Sequence, residues 1–223
     1  TAKAEVTERA VVEGYVAQAQ ADYEAAAQGA VDLRAAIAQF LAAPTAASLS
    51  QARLAWVEAR KLYSPTEIYR FYGGPIDAEE EGPEGLLNAC PLDEAYIDYV
   101  VGNPNAGIIN NVALYPAITR ELLESLNEQG GEKNISVGFH AIEFLLWGQD
   151  LSSRGPGNRS FRDYVVGTGR NADRRREYLR IAADHLVDKL AGVAARWNRA
   201  DSTSYAQAFL AEGNNEALRR ILM

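Results

Sequence analysis

A histidine and a glutamate three residues apart, His140 and Glu143, are the residues of this sequence whose types and spacing best suit chemistry. Side chains three residues apart lie on the same face of a helix. Their neighbours over 138–148 are almost all apolar, reading Gly-Phe-His-Ala-Ile-Glu-Phe-Leu-Leu-Trp-Gly. A helix that is apolar nearly all round lies inside a bundle. We therefore expect the imidazole and the carboxylate to be largely inaccessible to solvent and to face the same way.

Buried polar groups need partners, because leaving them unsatisfied costs several kcal/mol. The partners of His140 and Glu143 are either other protein side chains, in which case the pair is structural, or a metal ion. The other histidine of the chain, His185, lies in an apolar helical pattern, and we predict a structural role for it. A zinc peptidase would bring two histidines and a carboxylate, as in His-Glu-x-x-His. One imidazole with several carboxylates suits iron, manganese or calcium better than zinc.

A second informative segment covers residues 56–77. Ser64 is a good N-cap, Pro65 suits the first helical position, and Glu67 three residues later completes a capping box. Glu67 therefore has a purely structural explanation. The segment ends in Gly-Gly-Pro-Ile-Asp, which predicts a turn before Asp77.

Together the two segments resemble the imelysin family. The first matches its Gly-x-His-x-x-Glu signature, followed here by Leu-Trp-Gly, and the second its order of Trp, Ala-Arg, Tyr, Glu, Arg and Gly-Pro-Ile-Asp. That family is also classed as insulin-cleaving peptidases and is related to the C-terminal domain of the periplasmic iron-uptake protein EfeO. The resemblance covers essentially the whole chain, but only the first half of a domain that usually has two helical bundles.

The resemblance implies a metal site formed by residues of both segments. Its metal ligands would be His140, Glu143, Glu67 and Asp77. Two arginines, Arg60 and Arg70, would support these ligands or hold an anion. We expect Glu67 or Asp77 to approach His140 closely enough to share a ligand, because a buried His-Glu pair needs further polar partners.

Three functions are compatible with these residues. The first is an exported, periplasmic or outer-membrane-associated protein that binds a metal ion or metal complex and passes it to a membrane transporter. Iron is the preferred metal, ahead of zinc and calcium. The second is a metallopeptidase of the imelysin type, and the third is a helical interaction module whose site has decayed. We favour the first and expect no more than trace proteolysis, because only carboxylates of the hydrolytic machinery are identifiable and no catalytic residue is predicted.

Composition narrows the possible partners. The 223 residues carry a formal net charge of −8, which argues against general affinity for nucleic acid or anionic lipid and favours cations. The single cysteine, Cys90, excludes an intrachain disulfide. No apolar run reaches the roughly 18 residues of a membrane span, and the first residues do not have the basic-then-apolar pattern of a signal peptide. The sequence begins at Thr1 and not at Met, which fits a mature or trimmed chain whose export signal has been left out.

Helical periodicity recurs along the chain, and alternating strand patterns do not exceed a few residues, so we predict an all-α, up-and-down helical bundle over 1–223. The family's second bundle would be absent from this chain and would be a partner if it exists as a separate piece. Helices are predicted over 2–41, 45–63, 93–101, 115–127, 138–148, 171–199 and 215–223, with loops over 77–91 and 152–170. The basic run 174–176 is predicted to be a solvated helix face.

Overall fold

The computed structural model of the protein describes residues 6–80 and 82–222, and within these residues it contains helices and no β-strand. The predictions of an all-α fold and of a helical bundle are therefore confirmed. The α-helices are α1 (Glu8–Ala42), α2 (Ala46–Tyr63), α3 (Glu84–Leu87), α4 (Glu94–Ile97), α5 (Gly107–Asn110), α6 (Arg120–Leu126), α7 (Gly138–Trp147), α8 (Ala172–Arg196), α9 (Tyr205–Ala211) and α10 (Asn214–Leu222). Residues 2–5 and 223 of the predicted terminal helices lie outside the described residues.

Helices α1 and α2 form a hairpin whose ends are set by local capping. Thr7 Oγ1 accepts a hydrogen bond from the backbone N–H of Ala10 at the start of α1. Thr45 and Ser48 form a reciprocal capping box at the start of α2, directly after Pro44. The long helix α8 packs along α1, and these contacts form most of the core.

The end of the bundle where α8 stops is filled by aromatic rings around Trp197, which is fully buried. Its indole stacks on Tyr23, with ring centroids 6.3 Å apart, and meets Tyr205 edge-on at 5.2 Å. Further rings that contact this indole are Tyr15, Tyr69 and Phe209. This cluster joins α1, α9 and the residue that follows α8.

Helix α7 is the predicted apolar helix, and it packs against both α2 and α8. Its first residue, Gly138, has a φ of +88° and lies against the backbone of α3, so that a Cβ there would be 2.6 Å from the carbonyl oxygen of Leu87. Its last turn ends at Gly148, which also has a positive φ of 71°. Glycine at both ends lets the chain turn sharply into and out of the helix.

The middle of the chain folds into shorter helices than its sequence pattern predicts. The helix predicted over 93–101 ends at Ile97, because Asp98 turns inward and binds two buried arginines. The helix predicted over 115–127 begins only at Arg120, after the N-cap Thr119. Helix α3, within the predicted loop 77–91, and helix α5 were not predicted.

Two local predictions are wrong. The capping box expected at Ser64 is replaced by a 3₁₀ helix over Ser64–Tyr69 that continues α2, and Ser64 Oγ donates to the carbonyl of Arg60 instead. The run 174–176 is not a solvated face, since Arg174 and Arg175 are 9% and 1% exposed. Arg174 donates hydrogen bonds to backbone carbonyls of α5 and of Tyr115. Its guanidinium therefore supplies hydrogen-bond donors to a chain segment that has little regular structure.

None of the helices within 6–80 and 82–222 combines the length and the hydropathy needed to cross a bilayer.

Candidate metal-binding groove

His140 and Glu143 line a groove with a volume of about 810 Å³ on the outer side of α7. The groove lies between α7, the middle of α2, the segment around α4 and the chain that follows Gly148. Its lining residues are Trp56, Val57, Cys90, Leu92, Asp93, Glu94, Ala95, Val100, His140, Glu143, Phe144, Trp147, Gly148, Gln149, Asp150, Pro156 and Gly157.

The two motif residues share one face of one helix, as predicted, but they are not enclosed. The side chains of His140 and Glu143 are 26% and 43% exposed. The opposite side of α7, with Phe139, Ile142 and Leu146, is fully buried against the bundle. The prediction of a largely inaccessible pair is therefore wrong, because the segments around this face of α7 leave an open groove.

The imidazole and the carboxylate are hydrogen-bonded to each other. His140 Nδ1 lies 3.0 Å from Glu143 Oε2. An ionised carboxylate only accepts hydrogen bonds, so Nδ1 carries the proton and donates it. The other ring nitrogen of His140, Nε2, is then the one available to a ligand in the groove.

One wall of the groove is aromatic and is fixed from behind. Trp56 Nε1–H donates to the carbonyl of Phe139 at 2.9 Å, and the Trp56 and Trp147 rings meet edge-to-face at 5.4 Å. Arg53 donates to the carbonyl oxygens of Leu146 and Arg159, and its guanidinium lies 5.7 Å from the Trp147 ring centroid. These bonds tie α7 to α2, so the tryptophans are held in place before any ligand enters.

The groove also has an acidic rim, formed by Asp93, Glu94, Glu143 and Asp150, and its lining residues include no lysine or arginine. Two of these carboxylates already accept a backbone hydrogen bond: Asp93 Oδ1 from Ala95 at the start of α4, and Asp150 Oδ1 from Ser152. The exposed Cys90 is also among the lining residues. The groove therefore attracts positive charge.

A buried ion cluster positions the segment that follows Gly148. Asp98 accepts from Arg159 Nη1 at 2.6 Å and from Arg175 Nε and Nη2 at 2.7 and 3.0 Å. Burial alone would raise the pKa of Asp98, but the hydrogen bonds and charges of the two arginines outweigh it and hold the pKa below its ordinary value. Because Arg159 N also donates to the carbonyl of Trp147, the cluster holds this segment against the end of α7.

Glu67 and Arg70 lie in a different polar cluster, beside α3. Arg70 Nη1 is 2.8 Å from Glu84 and 3.5 Å from Glu67, and Asn88 Nδ2 donates to Glu67 at 3.0 Å. Burial raises the pKa of Glu84, and the charge of Arg70 offsets part of that rise. Glu67 thus does not complete a capping box, and one of its polar partners, Asn88, comes from the loop predicted over 77–91.

Arg60 and Asp77 also lie outside the groove lining. The Arg60 guanidinium stacks over the rings of Tyr63 and Phe139, 5.2 Å from each centroid, while Asp77 accepts the backbone N–H of Phe71. Since Phe139 precedes His140 in α7, Arg60 packs beneath the helix that carries the motif. It supports the helix and does not face the groove.

The structure thus brings His140 and Glu143 together and leaves Glu67 and Asp77 out of the groove that they line. Within the described residues, no three His, Cys, Asp or Glu side chains converge on a point where a metal ion could be held. Glu67 and Asp77 were expected to approach His140 and to share a ligand with it. The described residues do not form such a shared ligand set. Whether each residue binds a metal stays a prediction.

Sequence reasoning missed several groove residues. Asp93 and Glu94 lie at the start of the predicted helix over 93–101, and Asp150 follows the motif helix. None of the three belongs to a motif, because they reach the groove through chain turns that no periodicity marks. Trp56 was predicted to lie on the buried side of the helix over 45–63 and was given no part in the site. The signal that could have identified these residues is the pair of acidic residues at the start of the predicted helix over 93–101 and the single acid, Asp150, just after Gly148.

Comparison with known proteins agrees with this architecture. The imelysin family model matches residues 19–223, and the chain therefore belongs to the imelysin family. Over 208 residues it is 27% identical to "Iron-regulated protein A" of Synechococcus elongatus, an alignment that covers 92% of this chain and 45% of that protein. The chain thus spans about half the length of this curated relative.

Proposed function

We propose that this protein binds iron as a cargo at the His140 groove. The observation that carries this proposal is the His140–Glu143 pair, which presents Nε2 of a fixed imidazole to a groove with four carboxylates. Imidazole with carboxylate oxygen donors suits iron and manganese better than it suits zinc, for which thiolates or several histidines are usual. The name of the relative connects that protein with iron, which supports the choice of metal.

The residues of the groove have distinct parts in this function. The carboxylates of Asp93, Glu94 and Asp150 raise the local concentration of cations through their field. His140 supplies a nitrogen donor whose orientation is set by Glu143. Arg53 and Trp56 hold the wall behind it, so little of the binding energy is used to order the site.

We place this activity in the exported space, periplasmic or at the outer membrane, with a membrane transporter as the partner that receives the iron. A partly exposed histidine at an open groove is suited to transfer, because a receiving protein can reach the cargo without unfolding the carrier. The second helical bundle typical of the family would be a further partner that covers the groove and adds donors.

The test is calorimetric titration of ferrous ion under anaerobic conditions, with zinc ion in parallel. Wild type is expected to bind ferrous ion, and His140→Ala to bind at least about 10-fold more weakly, because it loses the nitrogen donor. Glu58→Ala is the matched control, since Glu58 is an exposed carboxylate of α2 outside the groove. Equal binding by wild type and His140→Ala would refute the assignment.

A peptide-cleavage assay on the same proteins separates binding from hydrolysis. We expect no more than trace cleavage by either protein. Cleavage by wild type that is lost in His140→Ala would replace this proposal by a metallopeptidase.

A further inference from the structure

The groove beside His140 is much larger than a metal ion. A volume of about 810 Å³ falls in the range of about 300–1,000 Å³ that is usual for organic ligands. An ion held by protein donors needs only the space inside bonds of about 2.0–2.6 Å. The groove also has apolar surface from Trp56, Trp147 and Leu92, which an ion cannot use. Its size and walls therefore fit an organic molecule that surrounds the metal.

The donor atoms in the groove also favour a metal that brings its own organic ligand. Glu143 Oε2 is engaged by His140 Nδ1, which is the arrangement of a carboxylate that orients a metal-binding histidine. Asp93 and Asp150 each use one oxygen to hold a backbone turn. Within the described residues no third His, Cys, Asp or Glu side chain joins the pair in a group that could hold a metal ion. His140 Nε2 can thus occupy one coordination position, and the remaining donors have to arrive with the metal.

The charge of the groove selects among metal complexes. Its lining has four carboxylates, Asp93, Glu94, Glu143 and Asp150, and neither lysine nor arginine. Anionic complexes such as citrate or catecholate chelates would be repelled by these carboxylates. A ferric ion bound by two hydroxamate groups carries a charge of about +1, from +3 and two charges of −1, and leaves positions open for a further donor.

We infer that the cargo of the groove is a neutral or cationic metal chelate with an open coordination position, and that His140 Nε2 fills this position. Glu143 is a positioning residue that fixes the imidazole and is not itself a metal ligand. This inference rests on the proposed function, because it specifies the form in which the same groove takes its metal.

The first experiment compares three probes by titration into the wild-type protein: a 1:1 ferric complex of a tetradentate dihydroxamate, ferric citrate, and ferrous ion without chelator. The dihydroxamate complex is expected to bind at least about 10-fold more tightly than either of the others. Its hydroxamate-to-iron absorption band should shift when the imidazole joins the iron. His140→Ala is expected to abolish this shift.

The second experiment tests the part of Glu143. Glu143→Gln keeps an acceptor for Nδ1–H and removes the charge, so affinity for the dihydroxamate complex should fall by about 10- to 100-fold while the band shift at saturation persists. Glu94→Gln is the matched control, because it removes an equal charge from the rim without touching His140, and it should weaken binding less than Glu143→Gln. Loss of the band shift in Glu143→Gln, as in His140→Ala, would make Glu143 a ligand and overturn this part.

The outcomes separate the inference from the proposed function. Tighter binding of ferrous ion than of the chelate would overturn the inference and leave iron binding intact. Equal binding of the metal-free dihydroxamate and its ferric complex would also overturn it, since the groove would then recognise the organic part alone. Failure of wild type to bind any iron probe would refute the proposed function itself.

Discussion

Asp98 is a fully buried carboxylate that binds the buried guanidinium groups of Arg159 and Arg175. Replacing it by asparagine keeps its shape but leaves two buried cations with too little negative charge. We expect Asp98→Asn to lower the free energy of unfolding by about 3–5 kcal/mol, as removal of one partner from buried ion pairs does. The measurement is urea unfolding followed by circular dichroism at pH 7.

The control for this variant is Glu58→Gln, which removes a carboxylate from an exposed pair with Lys61. Exposed pairs contribute about 0–1 kcal/mol, so its stability should stay close to that of wild type. Equal effects of the two substitutions would show that the Asp98 cluster is not needed for stability.

His185 is fully buried on α8, and its Nε2 is 3.5 Å from Glu124, which also pairs with Lys189. Burial lowers the pKa of His185, with Lys189 and Arg120 also lowering it and Glu124 opposing them. Because the folded pKa is below the unfolded value near 6.5, the unfolded state binds the proton more tightly. The contribution of neutral His185 to the free energy of unfolding is therefore fully present above pH 6.5, and it decreases as the pH falls toward the pKa of the folded state.

We expect the free energy of unfolding of wild type to fall between pH 7.5 and pH 5.5, with a limiting slope from this histidine of about 1.4 kcal/mol per pH unit. His185→Gln should be less stable at pH 7.5 but should show a smaller decrease. Urea unfolding at several pH values measures both. An unchanged slope in the variant would assign the decrease to other groups.

Helix α7 depends on a glycine at its first position. Gly138 has φ of +88°, and a Cβ there would lie 2.6 Å from the carbonyl oxygen of Leu87 and 3.0 Å from that of Leu86. Both neighbours are backbone atoms that cannot rotate away. Gly138→Ala is expected to cost about 1–3 kcal/mol of stability and to weaken cargo binding, because the start of α7 would move with His140. Thermal unfolding and the titrations above measure the two effects.

Gly14 provides the comparison, because it lies on the exposed side of α1 with nothing within 4 Å of an added Cβ. Gly14→Ala should stabilise the protein by about 0.4–1 kcal/mol, since alanine restricts the unfolded chain. Destabilisation of similar size by both substitutions would remove the argument for a special backbone at residue 138.

The sequence predicts elements well where their signals are local. Helices α1, α2, α7 and α8 follow apolar periodicity closed by nearby caps and glycines, and their bounds agree with the structure within a few residues. Helix α4 is shorter than predicted because Asp98 binds arginines that are 61 and 77 residues away in the sequence. Local periodicity carries no information about such distant contacts.

The same limit applies to the site. The spacing of His140 and Glu143 predicts their common face and their proximity, both of which the structure has. Their exposure depends on which chain segments cover α7, and these are the loops around Asp93 and after Gly148. The prediction that the arginines of the run 174–176 are solvent-exposed is wrong for a related reason. Their partners are carbonyl groups and a carboxylate that lie far away in the sequence.

At the scale of the whole molecule, stability should be distributed unevenly. Helices α1, α2 and α8 pack extensively on one another, whereas residues 149–158 contain no helix, and the amides of Ser152 and Arg154 donate to side chains in exposed turns. We expect these two amides to exchange hydrogen at least about a thousandfold faster than amides in the centre of α8. Hydrogen exchange followed by mass spectrometry measures this, and uniform protection would contradict it.

The three tryptophans are divided between the two parts of the molecule described above. Trp197 is enclosed by tyrosines in the core, while Trp56 and Trp147 line the groove. Energy absorbed by the tyrosines passes to Trp197, so its emission follows the assembly of the bundle. A coloured iron complex in the groove would quench the emission of Trp56 and Trp147 at short range. Folding of the bundle and the proposed loading of the groove would therefore be reported by different tryptophans of the same chain.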